Sequence, residues 1–175
     1  MKPGRPATPR LSQTAILTEA LHLLDQGETA LTIRALATRL TVTPMAIQHH
    51  IGTRDALIHA LSDHAFAKVR PGPGDAPQRL RSLIQAYTAA IRAHPALTLA
   101  LFRIPGPLPA EAQRITDTLE TLLVETGLPG PQARLWRDIF IDWAHGMALA
   151  QSPEDPTPAL NALLQAVRPA HSATP

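Results

Sequence analysis

Apolar residues recur three and four positions apart along most of this chain, a spacing that places them on one side of an α-helix. The 18 prolines interrupt this pattern, and most of them lie in clusters at 3–9, 71–77, 105–109, 129–131 and 153–158. Because proline lacks a backbone donor and clashes inside a helix, helices are expected between the clusters. No segment alternates apolar and polar residues convincingly, so the sequence predicts an all-α fold.

Hydroxyl side chains at positions typical of helix caps divide the first 70 residues into four predicted helices. The caps are Ser12, Thr32, Thr43 and Thr53. The first helix is expected to end just before Gly27, and the fourth to continue to about Val69, before a Pro-Gly-Pro-Gly segment. The third helix, residues 44–50, starts with Pro44 and has Ile47 as its main apolar side chain, so most of its surface is expected to stay exposed.

The second and third predicted helices are joined by only three residues, Thr41 to Thr43. Two short helices joined in this way, the second one poorly buried, form the arrangement that lets a helix enter the major groove of DNA. Ala37 is small where the two helices would cross, and Ile47 would anchor the exposed helix. A small helical bundle could contain a capped pair of this kind too, so periodicity alone leaves both interpretations open.

The charges are unevenly distributed, although the formal net charge is only +2. Residues 1–103 hold 12 Lys and Arg against 6 Asp and Glu, a net of +6, whereas residues 104–175 hold 4 against 8, a net of −4. An excess of positive charge in one half of a chain indicates a polyanionic partner for that half.

Over roughly residues 11–66 the chain resembles the tetracycline-repressor (TetR) family of bacterial transcription regulators. The resemblance rests on Ile16-Leu17-x-x-Ala20, Leu31-Thr32-Ile33-Arg34-x-Leu36-Ala37, Val42-Thr43-Pro44-Met45-Ala46-Ile47 and His50-Ile51-Gly52-Thr53-Arg54-Asp55-Ala56-Leu57. It implies a dimeric repressor with an N-terminal helix-turn-helix domain for double-stranded operator DNA and a helical C-terminal domain that dimerises and binds a small molecule. The expected division is a basic arm at 1–10, a DNA-binding domain at 11–52, a connecting helix at 53–70 and an effector-binding and dimerisation domain at 71–175.

Matched residue by residue to the family, the chain has two main phosphate-binding candidates, Thr43 at the start of the recognition helix and Arg54 at the start of the fourth helix. Helix N-termini and arginine side chains both suit phosphate. Met45, Gln48 and His49 would then face base edges, where Gln48 could form paired hydrogen bonds with adenine. The predicted DNA-binding residues are Arg5, Arg10, Thr32, Arg34, Thr43, Pro44, Met45, Gln48, His49, Thr53 and Arg54.

At four positions the chain departs from the residues usual in the family. It has Gln48 in place of Tyr, Ile51 in place of Phe, Arg54 in place of Lys and Thr41 in place of Gly. Loss of the tyrosine removes a common phosphate contact, and Thr41 must adopt a conformation that glycine enters more easily. We therefore expect DNA binding that is weaker or has a different specificity.

Residues 131–151 carry apolar side chains on nearly every side of a predicted helix, which therefore needs partners on more than one face. A second copy of the chain would supply them. Gly146 weakens the helix and is tolerated where another helix approaches closely, and residues 143–148 resemble the family's penultimate helix, which pairs with the final one. The predicted dimer interface consists of Leu135, Ile139, Gly146, Leu149, Leu160, Leu163, Leu164 and Val167. The alternative is that both helices only close a monomeric core.

An aromatic set is predicted to line a ligand pocket in the C-terminal half. Four of its members share one face of the helix just described, at spacings of four, three and four residues. The predicted ligand-binding residues are Phe66, Tyr87, Phe102, Trp136, Phe140, Trp143 and Met147. Such a pocket would be apolar with few polar groups, chiefly Tyr87 and His145, and would suit a hydrophobic or aromatic effector. Aromatic residues at helical spacing are also typical of an ordinary core.

Composition and motifs narrow the remaining possibilities. The chain has no cysteine, no apolar run near the ~20 residues that span a bilayer and no apolar signal core at its polar N-terminus, so we expect a cytoplasmic protein that does not insert into membranes. The sequence contains no nucleophile motif, glycine-rich phosphate loop or metal motif, so neither an enzyme nor a cofactor is expected. His49 and His50 are adjacent and His59 and His64 are five apart, spacings unlike those of a helical zinc site, and His50 is expected to be a packing residue.

Two functions from other classes stay open at this point. One is a helical small-molecule-binding protein or enzyme that uses the aromatic face and does not bind DNA. The other is a helical adaptor that binds another protein through the exposed third helix.

Overall fold

A computed structural model describes residues 12–150 and 155–167, so the predicted basic arm with Arg5 and Arg10 lies outside the described residues. Within these ranges the chain forms nine helices and no strand, which confirms the all-α prediction. The helices are α1 Gln13–Asp25, α2 Ile33–Arg39, α3 Pro44–Ile51, α4 Arg54–Phe66, α5 Ala76–Ala93, α6 Pro95–Leu101, α7 Ala110–Glu125, α8 Gly130–Leu149 and α9 Thr157–Ala166.

The first four helices begin at the hydroxyl caps that the sequence indicates. The side-chain oxygens of Ser12, Thr32, Thr43 and Thr53 each accept a hydrogen bond from the backbone N–H three residues on, at 3.0–3.2 Å. These bonds satisfy donors that the helix itself leaves without partners, which fixes where each helix starts. The fifth helix has a full capping box in which Asp75 and Gln78 bond each other's backbone N–H groups.

The fourth helix ends at Phe66 and not near Val69, where the sequence pattern places its end. After Phe66 the backbone turns, and the Val69 N–H donates to the Phe66 carbonyl at 2.9 Å. The Val69 carbonyl accepts from the guanidiniums of Arg70 and Arg114 at 2.9 and 2.7 Å. This turn lets the side chains of both Phe66 and Val69 enter the C-terminal core, a tertiary effect that helical spacing does not encode.

Two hydrophobic cores organise the described chain. The N-terminal core contains the buried side chains of α1 to α4, including Leu36, Ile47 and Leu61, together with Leu97 and Ala100 of α6. The C-terminal core contains buried side chains of α5, α7 and α8, with Phe66 of α4, Leu160 of α9 and two residues of the connecting segments, Val69 and Leu128. Its members are Phe66, Val69, Leu80, Leu83, Ile84, Tyr87, Ile91, Ile115, Leu119, Leu122, Leu123, Leu128, Ala133, Phe140, Ala144, Ala148 and Leu160. Helices α4 and α6 therefore join the predicted DNA-binding region to the rest of the chain.

The turn between α2 and α3 contains a strained residue. Thr41 has a φ of 55°, in the left-handed region that β-branched residues rarely enter. The sequence predicts this strain, because Thr41 stands where the family usually has glycine.

Thr41→Gly is expected to raise the free energy of unfolding by about 1 kcal/mol, since glycine enters the left-handed region without steric cost. Urea denaturation followed by circular dichroism measures the change. Thr38→Gly is the matched control, because Thr38 lies within α2 at an ordinary negative φ, and there the same change is expected to destabilise the chain by about 1 kcal/mol. Destabilisation by both variants would show that Thr41 carries no strain.

Candidate functional site

Helix α3 has one fully buried side chain, and most of its other side chains are exposed. Ile47 is fully buried in the N-terminal core, whereas Met45 is 73% exposed, and Gln48 and His49 are exposed as well. His50 is also exposed, and its ring forms a T-shaped contact with the His49 ring of the same helix, with the centroids 6.0 Å apart. The expectation that His50 is a packing residue is therefore wrong, because this short helix packs on the core through Ile47 and, in part, Ile51.

Three helix N-termini stand close to the exposed helix. Thr32, Thr43 and Thr53 are exposed at the starts of α2, α3 and α4. A groove of about 380 Å³ runs between α2, the end of α3 and the start of α4, and its polar lining includes Thr32, Gln48, Thr53 and Arg54. Backbone donors and the positive end of the helix dipole make the start of a helix such as α4 favourable for an anion. Pro44 and Arg34 are also exposed, on α3 and α2.

Arg54, the predicted phosphate ligand, is part of an ion-pair cluster. The Arg54 Nη2 donates to Glu28 Oε1 at 3.0 Å, and the other carboxylate oxygen of Glu28 accepts from Arg103, which follows Phe102 just after the end of α6. The Arg103 and Arg54 guanidiniums hold the pKa of the Glu28 carboxyl below its usual value. All three side chains are exposed, so the cluster can exchange partners at little cost. Sequence reasoning missed Glu28 and Arg103, because they lie 26 and 49 residues from Arg54 and no motif connects them.

A cavity of about 320 Å³ lies between α4, α5, α6, α7 and α8, where the two cores meet. Its lining is mostly apolar and includes Phe66, Leu101, Phe102, Leu108 and Ile141. Phe102 is 60% exposed and Leu108 is 55% exposed, so the loop after α6 presents apolar surface at the rim. The volume falls at the lower end of the range typical of ligand pockets, roughly 300–1,000 Å³.

The polar groups of this cavity are paired or uncharged. The Tyr87 hydroxyl and His145 Nε2 form a hydrogen bond of 2.9 Å. Burial raises the pKa of Tyr87 to about 12, and burial lowers the pKa of His145 against the opposing charge of Asp142. Both side chains are therefore uncharged near neutral pH. Arg137 also lines the cavity, and it donates to Glu120 at 2.6 Å and to Asp138 at 2.8 Å.

The predicted aromatic set divides between the cavity and other surroundings. Phe66, Tyr87 and Phe102 line the cavity, whereas the four residues predicted on α8 do not. Phe140 is buried in the C-terminal core beside the small residues of α8, and the Trp136 ring packs on it with centroids 5.9 Å apart. Trp143 lines a separate hollow with residues of α5 and α9, and Met147 is half-buried outside the cavity.

The four predicted residues of α8 miss the cavity for a simple geometric reason. The residues of α8 that face the cavity are Arg137, Asp138, Ile141 and His145, which lie on a different side of the helix from Phe140. Because this helix is apolar on several sides, its sequence alone does not tell which side packs, which lines a cavity and which stays open. Tyr87 and His145, the two polar groups predicted for the pocket, do lie together there.

The predicted interface residues differ in how accessible they are. Leu135 is 60% exposed, Gly146 is exposed, and Ile139 and Leu149 are half-buried, so one face of α8 stays open in the single chain. A Cβ built on Gly146 would meet nothing within 4 Å. Leu160 is only 2% exposed because it packs into the C-terminal core of its own chain, so its prediction as an interface residue is wrong.

Three further predicted interface residues lie on or just after α9. Leu163, Leu164 and Val167 are partly buried against the C-terminal core. A hydrogen bond from Arg81 of α5 to Asn161 ties the same helix to α5. The final helix thus packs beside α5, and only part of its apolar side remains available to another chain.

Two further findings concern metals and membranes. Across residues 12–150 and 155–167, His, Asp and Glu side chains nowhere form a group of three that could hold a metal ion. Of the helices in these ranges, none combines the length and the apolar character that crossing a membrane requires.

The arrangement of helices is similar to that of several solved transcriptional regulators. No protein-family model and no curated protein matches the chain. The transcriptional regulator SCO7222, a TetR from Streptomyces coelicolor, is 28% identical, with a TM-score of 0.67 over 93% of this chain and 89% of its own. BioQ, solved with its natural double-stranded DNA operator, is 21% identical, with a TM-score of 0.74 over 90% and 98% of the two chains. A TetR variant from Acinetobacter baumannii AYE, solved in complex with minocycline, is 22% identical, with a TM-score of 0.67 over 90% and 93%.

Proposed function

We propose that this chain is a transcriptional regulator of the TetR type, as its 28% identity to the regulator SCO7222 supports. In this proposal it is a dimeric repressor that binds operator DNA and releases it when a small hydrophobic or aromatic effector occupies the cavity. The observation that carries the proposal is the exposure of α3, a helix with one buried anchor and three outward polar or flexible side chains beside capped helix N-termini.

In the proposed complex α3 lies in the major groove. Met45, Gln48 and His49 reach base edges, and the Gln48 amide suits paired hydrogen bonds to adenine. Phosphates lie against the starts of α3 and α4, where Thr43, Pro44, Thr53 and Arg54 are exposed, with Thr32 and Arg34 of the α2 region beside them. The predicted arm contributes Arg5 and Arg10 to the minor groove. BioQ, a solved structure with the same fold, contains its DNA operator, which supports this use of the fold.

The dimer and the effector complete the proposal. A second copy of the chain covers the open face of α8, and the two recognition helices then lie about one DNA turn apart. The cavity receives the effector, as the minocycline complex of the TetR variant supports for this fold. Helix α6 packs on the N-terminal core and its last turn lines the cavity, so an effector that prefers one arrangement of α6 shifts the spacing of the recognition helices.

The direct test is to incubate the purified protein with DNA fragments and to sequence the fragments that it retains. A shared fragment sequence among the retained fragments is expected. If no DNA is retained while small molecules bind, the chain is a helical small-molecule-binding protein and the proposal fails.

Operator affinity is expected to fall steeply as salt is raised. With six or more phosphate contacts in a dimer, the affinity should drop by about 10³-fold between about 50 and 200 mM salt. Fluorescence anisotropy with the retained fragment measures the slope. Arg34→Ala should make the slope of log affinity against log salt concentration less steep by about 2, because each protomer loses one phosphate contact. A salt-independent affinity would contradict the phosphate contacts.

A further inference from the structure

We propose that the cavity selects an uncharged ligand whose apolar ring system carries one hydroxyl-type group, and that this group forms a hydrogen bond with the hydroxyl of Thr98, which shares the cavity lining with Tyr87 and His145. The inference deepens the proposed function, because it rests on this cavity being the effector site, and it names the chemical class of the effector. Three features of the lining carry it.

The first feature is the apolar surface of the cavity and its rim. Phe66 and Ile141 form part of the interior, and the largely exposed Phe102 and Leu108 stand at the opening. The Phe66 and Tyr87 rings meet edge to face with centroids 5.8 Å apart, and Phe102 meets His145 in the same manner at 5.0 Å. A ring system inserted here would extend these edge-to-face contacts and remove exposed apolar area from water.

The second feature is an unsatisfied hydroxyl. Thr98 lines the cavity and is only 3% exposed, and its Oγ1 has no hydrogen-bond partner among the described residues. A buried hydroxyl without a partner is destabilising, and a ligand that supplies a partner removes that cost on binding. Because a hydroxyl both donates and accepts, a hydroxyl on the ligand can pair with Thr98 in either direction.

The third feature is that the cavity lining offers no unpaired charge from Arg137, Tyr87 or His145. Arg137 is already engaged by the carboxylates of Glu120 and Asp138, so it does not offer an unpaired cation to an anionic ligand. Tyr87 and His145 are uncharged partners of one another near neutral pH. A charged ligand would therefore lose its hydration without gaining a counter-ion, whereas an uncharged ligand would not.

The test uses four probes of one ring size: naphthalene, 2-naphthol, 2-naphthoate and 2-naphthylmethylammonium. Binding to the full chain without DNA is measured by calorimetry at about pH 8. We expect 2-naphthol to bind about tenfold more tightly than naphthalene, the gain of one hydrogen bond in a buried site. Both ions should bind more weakly than naphthalene. Preference for either ion, or equal binding of naphthol and naphthalene, would overturn the proposal.

A pair of variants ties the selectivity to one atom. Thr98→Val keeps the shape and removes the hydroxyl, so 2-naphthol should lose about tenfold in affinity and naphthalene should lose nothing. The folding stability of Thr98→Val should not fall, because the variant removes an unsatisfied group. Ser62→Ala is the matched control, since Ser62 is equally buried and unsatisfied but lies outside the cavity, and its naphthol affinity should not change. Unchanged naphthol affinity in Thr98→Val would overturn the role of Thr98.

This test is separate from the test of DNA binding. If the probes behave as expected but no DNA is retained, the proposed repressor function fails while the ligand class stands. If DNA is retained but an ionic probe binds best, the ligand class fails and the repressor function stands.

Discussion

A Thr43→Ala/Arg54→Ala double variant is expected to bind operator DNA about 100-fold more weakly than the unmodified chain. Each protomer loses a hydroxyl at the start of α3 and a guanidinium at the start of α4, and charge-assisted contacts to phosphate are among the stronger hydrogen bonds. Loss of the Thr43 cap should lower the free energy of unfolding by about 1 kcal/mol, which leaves the chain folded. Anisotropy titration and thermal denaturation of the same preparations measure both effects.

A control for composition and charge is available in the C-terminal half. Arg79→Ala/Thr121→Ala removes the same two residue types from α5 and α7, where Arg79 pairs with Glu125 and the Thr121 hydroxyl donates to a carbonyl one turn earlier. Its operator affinity should stay within about twofold, since these sites are far from the proposed DNA contacts. Equal losses in the two double variants would show that overall charge, and not the starts of α3 and α4, carries the DNA binding.

Gly146→Arg is expected to convert the protein to a folded monomer with at least about 100-fold weaker operator binding. Within one chain the space beside Gly146 is open, so the arginine should not disturb the protomer. In the proposed dimer, where a second copy of α8 approaches Gly146 closely, the arginine would place a large charged side chain in an apolar interface. Separate monomers lose the gain that comes from binding two half-sites together. Light scattering gives the mass, and circular dichroism gives the helix content.

Two further variants separate dimer loss from other effects of the substitution. Thr121→Arg adds the same charge to an exposed position of α7 and should stay dimeric. Gly146→Ala should increase protomer stability by up to about 1 kcal/mol through helix propensity. A dimeric Gly146→Arg variant would rule out the proposed interface at the centre of α8.

Local signals account for the parts of the fold that the sequence predicts well. Four helix starts are predictable because a cap bonds a backbone N–H only three residues further on, so the signal lies within a few neighbouring residues. These caps are Ser12, Thr32, Thr43 and Thr53. The strained Thr41 is predictable for the same reason, since its conformation depends on a turn of three residues. The exposure of α3 follows from a single apolar anchor at Ile47.

Tertiary packing decides the parts that the sequence does not predict. Helix α8 is apolar on several sides, so the sequence does not show that Phe140 packs inward while Ile141 and His145 face the cavity. The end of α4 at Phe66 depends on carbonyl contacts from Arg70 and Arg114. The position of Thr98 in the cavity depends on how α6 lies against α4 and α5.

In the proposed DNA complex, the carboxylate of Glu28 and a DNA phosphate compete for the same Arg54 guanidinium. Glu28 accepts the Arg54 hydrogen bond that a DNA phosphate would accept in the proposed complex, and it is also bound to Arg103, the residue after Phe102 of the cavity rim. In the proposed complex an arriving duplex would have to displace Glu28 from Arg54, which lowers the gain from that phosphate contact whatever the base sequence. Because Arg103 follows Phe102 directly, an effector that moved the cavity rim would be expected to change how strongly Glu28 holds Arg54.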